Sequence, residues 1–275
     1  MTDEYRIETT PNSIDFWSKH RLPLEPNGVL FIARIELREK LKSLKPRLGD
    51  GLWASLTTEC HDHFDAENIL FYNVGAARFG ALSSEGYSFS FFRGAPVEAA
   101  QFKFHHHYEL RRLPAKAASQ PHLQFVLEKL NTNIKPQHVW WPARNAGGMD
   151  IPVVEGDFRL DVVLTGPAIK SGIATVAKPL LDGVIAALHF DSCVDQAAVS
   201  FLASKFQLPA DRLLKAFART DRSPLGDQRV LSTYRGPTSI KWNPADERCV
   251  ECAIRWLPGS GPGTRVDVCI QPTNG

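Results

Sequence analysis

A basic, an acidic and an imidazole side chain lie at helical spacing in the middle of the chain. Lys178 and Asp182 are four residues apart, and His189 follows seven residues later within an apolar repeat. Proline is tolerated in the first turn of a helix, so Pro179 predicts that the helix begins there. Residues at these spacings fall roughly on one side of a helix. Such a face could carry chemistry, and an ion pair of Lys178 with Asp182 on a solvated surface explains the same pattern.

A second group of chemically active side chains is crowded into residues 59–67. Seven of these nine positions can bind a metal or carry a proton, namely Glu59, Cys60, His61, Asp62, His63, Asp65 and Glu67. Alternate residues of an extended segment point to one side, which would bring together His61, His63, Asp65 and Glu67. Carboxylates suit Mg²⁺ or Mn²⁺, and imidazoles suit Zn²⁺ or Mn²⁺. The segment is therefore a candidate divalent metal site.

Three assignments are open for this segment. In the first, carboxylates bind the ion and a histidine activates a water molecule, with the ligands Asp62, Asp65 and Glu67 and the base His61 or His63. In the second, the segment is a polar loop in which Asp65 caps a helix near Ile69, because aspartate is favoured at helix starts. In the third, a thiol and two imidazoles bind zinc, from Cys60, His61 and His63.

The charge of the chain neither demands nor forbids a polyanionic partner. The formal net charge is only +2, so any nucleic-acid surface must be a local patch. A run of basic residues offers the best local candidate for phosphate contacts, and it consists of Lys40, Lys42, Lys45 and Arg47. The same run is also typical of a solvated loop.

The remaining histidine and cysteine clusters give weaker signals for a metal. His105–His107 are three consecutive histidines in an alternating segment, and neighbours in a strand point to opposite faces. They cannot all reach one ion without distorting the strand. Cys249 and Cys252 have CxxC spacing, but no second pair completes a four-thiolate site. The alternation around these two cysteines predicts a strand with one buried face.

Composition places the chain among folded globular proteins. Hydrophobic residues make up 43% and charged residues 23% of the 275 positions, which excludes wholesale disorder and allows one large domain or two ordinary ones. No run of eighteen apolar residues occurs, and Met1–Glu4 lacks the regions of a signal peptide. We expect a soluble, cytoplasmic protein without a membrane partner.

The predicted fold class is α/β (α+β), with mixed sheets and packed helices. Strands are predicted at 28–37, 87–93, 102–110, 158–165, 249–256 and 265–270, with a strand-like aromatic piece at 138–144. Helices are predicted at 121–130, after Lys178, and as a hairpin over 194–206 and 209–219. Residues 1–27, with three prolines, are predicted to be an irregular leader. An N-terminal half would then span 28–150, and a C-terminal half 151–275 with a helical insertion at 191–220.

A family resemblance becomes visible in the C-terminal half. A strand, the sequence Lys178-Pro-Leu-Leu-Asp182-Gly and the acidic pair Asp246-Glu247 before another strand follow one another there. This order resembles the RusA family of Holliday-junction resolvases, which show D-x-D-N, a lysine and L-D-x-L on one helix, and a later D-D pair before a strand. The resemblance implies a small α/β domain that dimerises and whose aspartates hold magnesium for phosphodiester hydrolysis. It matches Lys178 to the family lysine, Asp182 to the helix aspartate, and Asp246 with Glu247 to the late acidic pair.

The chain departs from the family pattern where D-x-D-N is expected. It has Gly172-Ile-Ala-Thr175 at that place, with neither aspartate. In the N-terminal half, Asp65-Ala-Glu67-Asn68 fits D-x-[DE]-N, again after a strand and before a helix, with Phe71 where the lysine would stand. We therefore hypothesise an internal pseudo-duplication, in which one half contributes the acidic cluster and the other contributes the lysine and its helix.

These observations predict a magnesium- or manganese-dependent endonuclease that acts on structured DNA. Asp65, Glu67 and Asp62 would bind the ion, and Lys178 would stabilise charge that develops on the phosphate. Two other classes remain open. One is a catalytically inactive nucleic-acid-binding or scaffold protein that keeps the fold, and the other is a zinc-site protein. The expected partners are nucleic acid, DNA in preference to RNA, and a second copy of the chain or another protein.

Overall fold

Eleven strands and five α-helices form the fold in the computed structural model, which describes residues 4–60, 64–96, 101–113, 120–146, 153–236 and 239–273. The strands are β1 Tyr5–Thr9, β2 Ser13–Ser18, β3 Asp50–Thr58, β4 Gly86–Arg93, β5 Phe104–Arg112, β6 Leu123–Leu127, β7 Phe158–Gly166, β8 Leu231–Thr233, β9 Ile240–Trp242, β10 Cys249–Pro258 and β11 Thr264–Pro272. The α-helices are α1 Gly28–Leu41, α2 Pro136–Asn145, α3 Ala174–Ala187, α4 Gln196–Phe206 and α5 Ala210–Ala218. The predicted α/β class is therefore confirmed.

Nine of the strands form one mixed sheet in the order β1-β2-β5-β3-β4-β10-β7-β11-β6, and β8 pairs with β9. The sheet has the same arrangement on both sides of its centre, where β4 and β10 are antiparallel. Moving outward, β3 is parallel to β4 and β7 is parallel to β10. Next, β5 is antiparallel to β3 and β11 is antiparallel to β7. Finally, β2 is antiparallel to β5 and β6 is antiparallel to β11.

The chain also visits these elements in the same order in both halves. The first half runs β2, α1, β3, a helical segment, β4 and β5, and the second runs β6, α2, β7, α3 to α5, β10 and β11. The helical segment of the first half is short and consists of a π-helical turn, Asn68–Tyr72, and two 3₁₀ turns, Ala76–Phe79 and Ala81–Ser83. This shared topology is what the hypothesis of an internal pseudo-duplication requires.

Alternation along the strands separates the two faces of the sheet. In β5, Phe104, His106 and Tyr108 are buried, whereas His105 and His107 are half-buried. The buried side faces the helical segment, because Phe104 contacts the ring of Phe64 and Tyr108 Oη donates a hydrogen bond of 2.8 Å to the Leu70 carbonyl. His105 and His107 therefore lie on the face opposite the helical segment.

Helix α3 lies in the core, and ten of its fourteen residues are buried. It begins at Ala174, five residues before Pro179, so the prediction that the helix starts at Pro179 is wrong. The Ala174 amide donates to Ser83 Oγ at 3.1 Å and the Ile173 amide to the Ser83 carbonyl at 3.3 Å. These two bonds satisfy donors that a helix start leaves unpaired, which explains why α3 begins there without a proline.

Four local predictions are contradicted. The predicted irregular leader at 1–27 contains strands β1 and β2, which pair with each other and extend the sheet. Residues 28–37 form helix α1, residues 121–130 contain strand β6, and residues 138–144 lie in helix α2. The predictions of strands at 87–93, 102–110, 158–165, 249–256 and 265–270, and of the helical hairpin, are confirmed.

Candidate functional site

The ammonium group of Lys178 lies at the centre of a cluster of carboxylates. Its Nζ atom is 2.6 Å from Asp65 Oδ2 and 2.9 Å from Asp182 Oδ1, and it also contacts Asp246 Oδ2. All four side chains are largely buried, with exposed fractions of 14 to 20%. Three segments that are remote in sequence therefore meet at one amine.

The topology of the sheet explains why these segments meet. Asp65 follows β3, and Asp246 opens a 3₁₀ turn, Asp246–Arg248, directly before β10. Because β3 is parallel to β4 and β4 is antiparallel to β10, the end of β3 and the start of β10 lie at the same edge. Lys178 and Asp182 come from adjacent turns of α3. The edge supplies two carboxylates and the helix supplies the third with the amine.

Asp65 has two roles at once. Its Oδ2 binds Lys178, and its Oδ1 accepts a hydrogen bond of 3.1 Å from the Asn68 amide at the start of the helical segment. The predicted helix cap and the predicted cluster ligand are therefore the same side chain. The extended alternation expected across this segment is wrong for Ala66 and Glu67, which are helical.

Glu67 is the most unusual member of the cluster. Only 3% of the residue is exposed, and neither carboxylate oxygen has a hydrogen-bond partner among the residues that the structure describes. Burial raises the pKa of Glu67 well above 4.5, and the neighbouring carboxylates Asp65, Asp182 and Asp246 add to the rise while Lys178 opposes it. A buried carboxylate without a partner costs folding free energy, so this side chain indicates a site adapted to a ligand.

Burial and mutual repulsion dominate the titration of the other groups. Burial raises the pKa of Asp65 to about 7 and that of Asp182 to about 6, although Lys178 opposes both shifts. Burial acts on Asp246 in the same direction, but Lys178 and a hydrogen bond with Asp65 outweigh it and lower the pKa. The four carboxylates in turn hold the pKa of Lys178 well above 10.5 against the effect of its own burial. The four carboxyl groups of the cluster therefore share protons. The single ammonium of Lys178 cannot neutralise all of them when they are ionised.

The donor atoms of the cluster are of the type that a hard divalent cation prefers. Within the described part of the chain, however, the ligand atoms close enough together to hold one ion are those of Asp15, His105 and His107. Magnesium and manganese prefer carboxylate oxygens, and the cluster offers four carboxyl groups of which Glu67 has both oxygens unpaired. Asp65, Glu67 and Asp246 are the groups that would hold the ion, and Asp182 remains close to Lys178 on the helix. The ammonium of Lys178 occupies the centre of the cluster and supplies the positive charge there, so a cation and Lys178 compete for the same oxygens.

In the other half of the sheet, the position that corresponds to this cluster is filled by direct backbone contact. By the shared topology, the segment at Gly172–Ala174 corresponds to Asp65–Glu67, and the chain before β4 corresponds to Asp246. Gly172 has a positive φ of 79°, and a Cβ atom there would lie 1.9 Å from the carbonyl oxygen of Gly80. Backbone contact therefore occupies the place where the resemblance to the RusA family leads one to expect aspartates.

Several predicted site residues lie apart from the cluster. Glu247 neighbours Asp246, but the ion-pair partners of Lys178 within the described ranges are Asp65, Asp182 and Asp246. His61, Asp62 and His63 lie outside the described residues. His189 follows the end of α3 at Ala187 and binds the Gly226 carbonyl through Nδ1 at 3.2 Å, and burial lowers its pKa to about 4. The prediction that His189 shares a helix face with Lys178 is therefore wrong.

The other predicted clusters have simple structural environments. Lys40 lies in the last turn of α1, and the other basic residues of its run follow the helix, where Lys42 pairs with Glu39 at 2.6 Å. Their role in binding phosphate stays a prediction. Cys249 and Cys252 are buried free cysteines in β10, which confirms the predicted buried strand.

The sequence interpretation missed one cluster. Asp15, His105 and His107 offer three ligand atoms that lie within 4.8 Å of one another. The signal in the sequence was the His-x-His pair of a strand, which shares one face. The third member, Asp15, could not be found because the segment that contains it was predicted to be irregular.

Comparison with protein-family models, with curated proteins and with solved structures finds no match to this chain. Within the described part of the chain, no helix combines the length and the apolar character needed to cross a membrane.

In metal-free buffer, we expect the contribution of Asp65 and Asp182 to the free energy of unfolding to fall as the pH rises from 3.8 to about 7, while the lowered pKa values of the buried His106 and His189 act in the opposite direction. The folded pKa values of Asp65 and Asp182 are raised, so these two groups bind more protons in the folded state than in the unfolded state in this window. This contribution to stability is complete below the unfolded pKa and is lost as the pH rises through the folded pKa. The lowered pKa of Asp246 acts mainly below pH 3.8, where its contribution to stability is lost as the pH falls.

Urea unfolding across this pH window, with a chelator present, measures the effect. The free energy of unfolding of the unmodified chain minus that of Asp65→Asn should fall as the pH rises through this window, because only the unmodified chain has the group with the pKa of about 7. Asp211→Asn is the matched control, since Asp211 is 66% exposed and pairs only loosely with Lys215. An Asp65→Asn protein with the slope of the unmodified chain would show that Asp65 does not carry the shared protons.

Proposed function

We propose that this protein is a magnesium- or manganese-dependent endonuclease that acts on structured DNA. One observation carries the proposal. Four carboxyl groups and one lysine amine from three remote segments converge in a buried cluster that includes Glu67, whose carboxylate has no hydrogen-bond partner in the part of the chain that the structure describes. Strongly perturbed acids beside a lysine are typical of sites where charge develops during a reaction.

The residues divide into groups with distinct roles. Asp65, Glu67 and Asp246 would hold the divalent cation, which when bound would supply Lewis acidity toward the phosphate and lower the pKa of bound water. Lys178 is fixed by Asp182 one turn away on α3 and donates to the developing negative charge on the phosphodiester. The chain thus binds the phosphate through an ammonium that its own carboxylates hold fully protonated.

The surface beside Asp65 is suited to a phosphate backbone. A depression next to the cluster is lined by Asp65, Asn68, Tyr72 and Arg21, among other residues. Arg21 lies over the ring of Phe64, with its guanidinium carbon 5.3 Å from the ring centroid. An arginine within the depression offers planar, bidentate contact to a phosphate close to the acidic cluster.

The experiment that tests the proposal is a cleavage assay on labelled branched DNA, duplex DNA and single-stranded RNA. Each substrate is incubated with the purified protein and magnesium, manganese or chelator. We expect cleavage of branched DNA that requires the cation. Asp65→Asn should lower the rate by about 100-fold or more, because loss of groups that merely support metal ligands already costs up to that factor.

Asp211→Asn again serves as the control and should cleave like the unmodified protein. Cleavage that survives chelator or Asp65→Asn would contradict the assignment of the site. Binding of branched DNA without cleavage under every metal would favour the non-catalytic binding protein instead.

A further inference from the structure

Asp15, His105 and His107 form a second polar cluster, away from the acidic site. Asp15 Oδ1 is 2.8 Å from His105 Nε2 and 2.6 Å from His107 Nδ1. All three side chains are about one fifth exposed, so solvent and ions reach them. The cluster lies on the sheet face opposite the helical segment, because its histidines alternate with the buried Phe104, His106 and Tyr108.

Strand register builds this cluster. The pair His-x-His places both imidazoles on one face of β5, and Asp15 in β2 lies directly opposite His107. On the other side of β5, the residues opposite His107 and His105 are the small Ser55 and Thr57. The three ligand atoms therefore converge over the strands, where the ring of Trp17 stacks on His105 and the ring centroid of Trp53 lies 5.4 Å from that of His107.

We infer that Asp15, His105 and His107 form a zinc site, with water completing the coordination of the ion. Two imidazoles and one carboxylate are a usual protein ligand set for Zn²⁺, and three protein ligands leave a position open. Metal–ligand bonds of about 2.0–2.1 Å in a tetrahedral site place ligand atoms roughly 3.3 Å apart. Small shifts of the three side chains from their present positions reach that spacing.

The surroundings of the histidines also suit a metal site. Glu109 Oε2 lies 4.0 Å from His107 Nε2, the ring nitrogen that points away from Asp15. This distance is too long for a hydrogen bond, but a modest side-chain shift would let Glu109 accept one from His107, as carboxylates that orient metal-binding histidines do. The ring of Trp17 stacks on His105 with centroids 4.7 Å apart and an interplanar angle of 3°. The ring of His105 is therefore held in orientation from outside the site.

The corresponding strand pair of the other half shows what a purely structural arrangement looks like. There, Asp267 in β11 accepts hydrogen bonds of 2.6 Å from Gln124 Nε2 and 3.0 Å from Arg265 Nε. An arginine neutralises that aspartate permanently. Asp15 instead has only the two imidazoles as ion-pair partners in the described part of the chain. Imidazoles are uncharged when they bind a metal, so the charge of Asp15 stays available to an ion.

The test uses the full chain stripped with chelator and then titrated with Zn²⁺ and, separately, with Co²⁺. We expect one zinc ion per chain by calorimetry and visible d–d absorption of four-coordinate cobalt that zinc displaces. His107→Asn should weaken zinc binding by about 100-fold or more and abolish the cobalt spectrum. The exposed His20→Asn is the matched control and should bind like the unmodified chain.

A second variant separates this site from the acidic cluster. Asp65→Asn should keep the zinc stoichiometry and the cobalt spectrum, since it alters the cluster on the other sheet face. An unmodified chain that gives no four-coordinate cobalt spectrum would overturn the inference, whether or not the histidine variants fold. Equal zinc affinity in His107→Asn would overturn it as well and leave Asp15 as a hydrogen-bonded partner of two histidines.

Discussion

Replacing Lys178 with methionine is expected to make the stability of the protein depend on a divalent cation. The substitution leaves four buried carboxyl groups without the ammonium that three of them contact. Removing one partner of a buried ion pair costs about 3–5 kcal/mol, because the other charge stays buried. For a chain of this size, that loss lowers the melting temperature by roughly 10 °C.

A cation should restore most of this loss. Mg²⁺ or Mn²⁺ that binds the vacated centre stabilises the folded state by an amount that grows with the logarithm of the metal concentration once this exceeds the dissociation constant. We therefore expect thermal unfolding of Lys178→Met to shift upward with either metal far more than that of the unmodified chain, where Lys178 competes for the oxygens. DNA cleavage should stay absent in this variant at every metal concentration.

The chain contains a matched control for this prediction. Lys215 lies four residues after Asp211 in α5 and forms an ion pair of 4.0 Å with it, but the lysine side chain is 81% exposed. Lys215→Met should change stability by less than about 1 kcal/mol, as is usual for exposed pairs. If the metals do not stabilise Lys178→Met, the carboxylates form a structural ion network without affinity for a cation.

The sequence predicted which residues form the acidic cluster better than it predicted that these residues lie close together in the fold. Spacing and the family pattern identified Lys178, Asp182 and Asp246, and the D-x-[DE]-N match identified Asp65 and Glu67. Their convergence depends on β3 and β10 ending at one edge of the sheet, which follows from the order of nine strands. No local pattern encodes that order, so only the hypothesis of two duplicated halves anticipated it.

The helix at 28–41 shows why local predictions failed elsewhere. Its buried residues Ala33, Leu37 and Leu41 recur at helical spacing, but Phe31, Ile32 and Ile35 are apolar and more than 40% exposed. The exposed apolar side chains hide the helical period and give the segment the composition of a strand. Prediction from apolar content assumes that apolar residues are buried, and this helix violates the assumption.

The predictions for the segments that form helix α2 and strand β6 were wrong for a different reason from the prediction for α1. The aromatic residues of 138–144 predicted a strand-like piece, and Pro142 lies inside this segment, yet helix α2 forms there because its face is buried against α3. The close approach requires Gly183, where a Cβ atom would lie 2.5 Å from the Pro136 carbonyl oxygen. In β6, buried Leu123, Phe125 and Leu127 alternate over only five residues. Tertiary packing decides such short or interrupted elements, and the sequence alone does not reveal it.

Glu67→Gln is expected to stabilise the metal-free protein while it abolishes cleavage. The pKa of Glu67 is raised well above 4.5 in the folded state, so its ionisation costs stability as the pH rises above the unfolded value. Glutamine keeps the shape and removes the charge. The gain should be absent near pH 4.5 and should reach about 1 kcal/mol or more at about pH 8, where an unpaired buried carboxylate is most costly.

Asp246→Asn provides the contrast that makes the result interpretable. Asp246 has a lowered pKa and contacts Lys178, so its neutralisation should destabilise the protein above the unfolded pKa of 3.8, and the loss should shrink as the pH falls through the folded pKa. Both variants should lose cleavage by about 100-fold or more, since both remove a proposed metal ligand. Opposite changes in the urea midpoint with equal losses of cleavage would show that Glu67 is retained for its chemistry at the expense of stability. A Glu67→Gln protein that is less stable at high pH, or that cleaves normally, would instead place Glu67 among residues that serve folding alone.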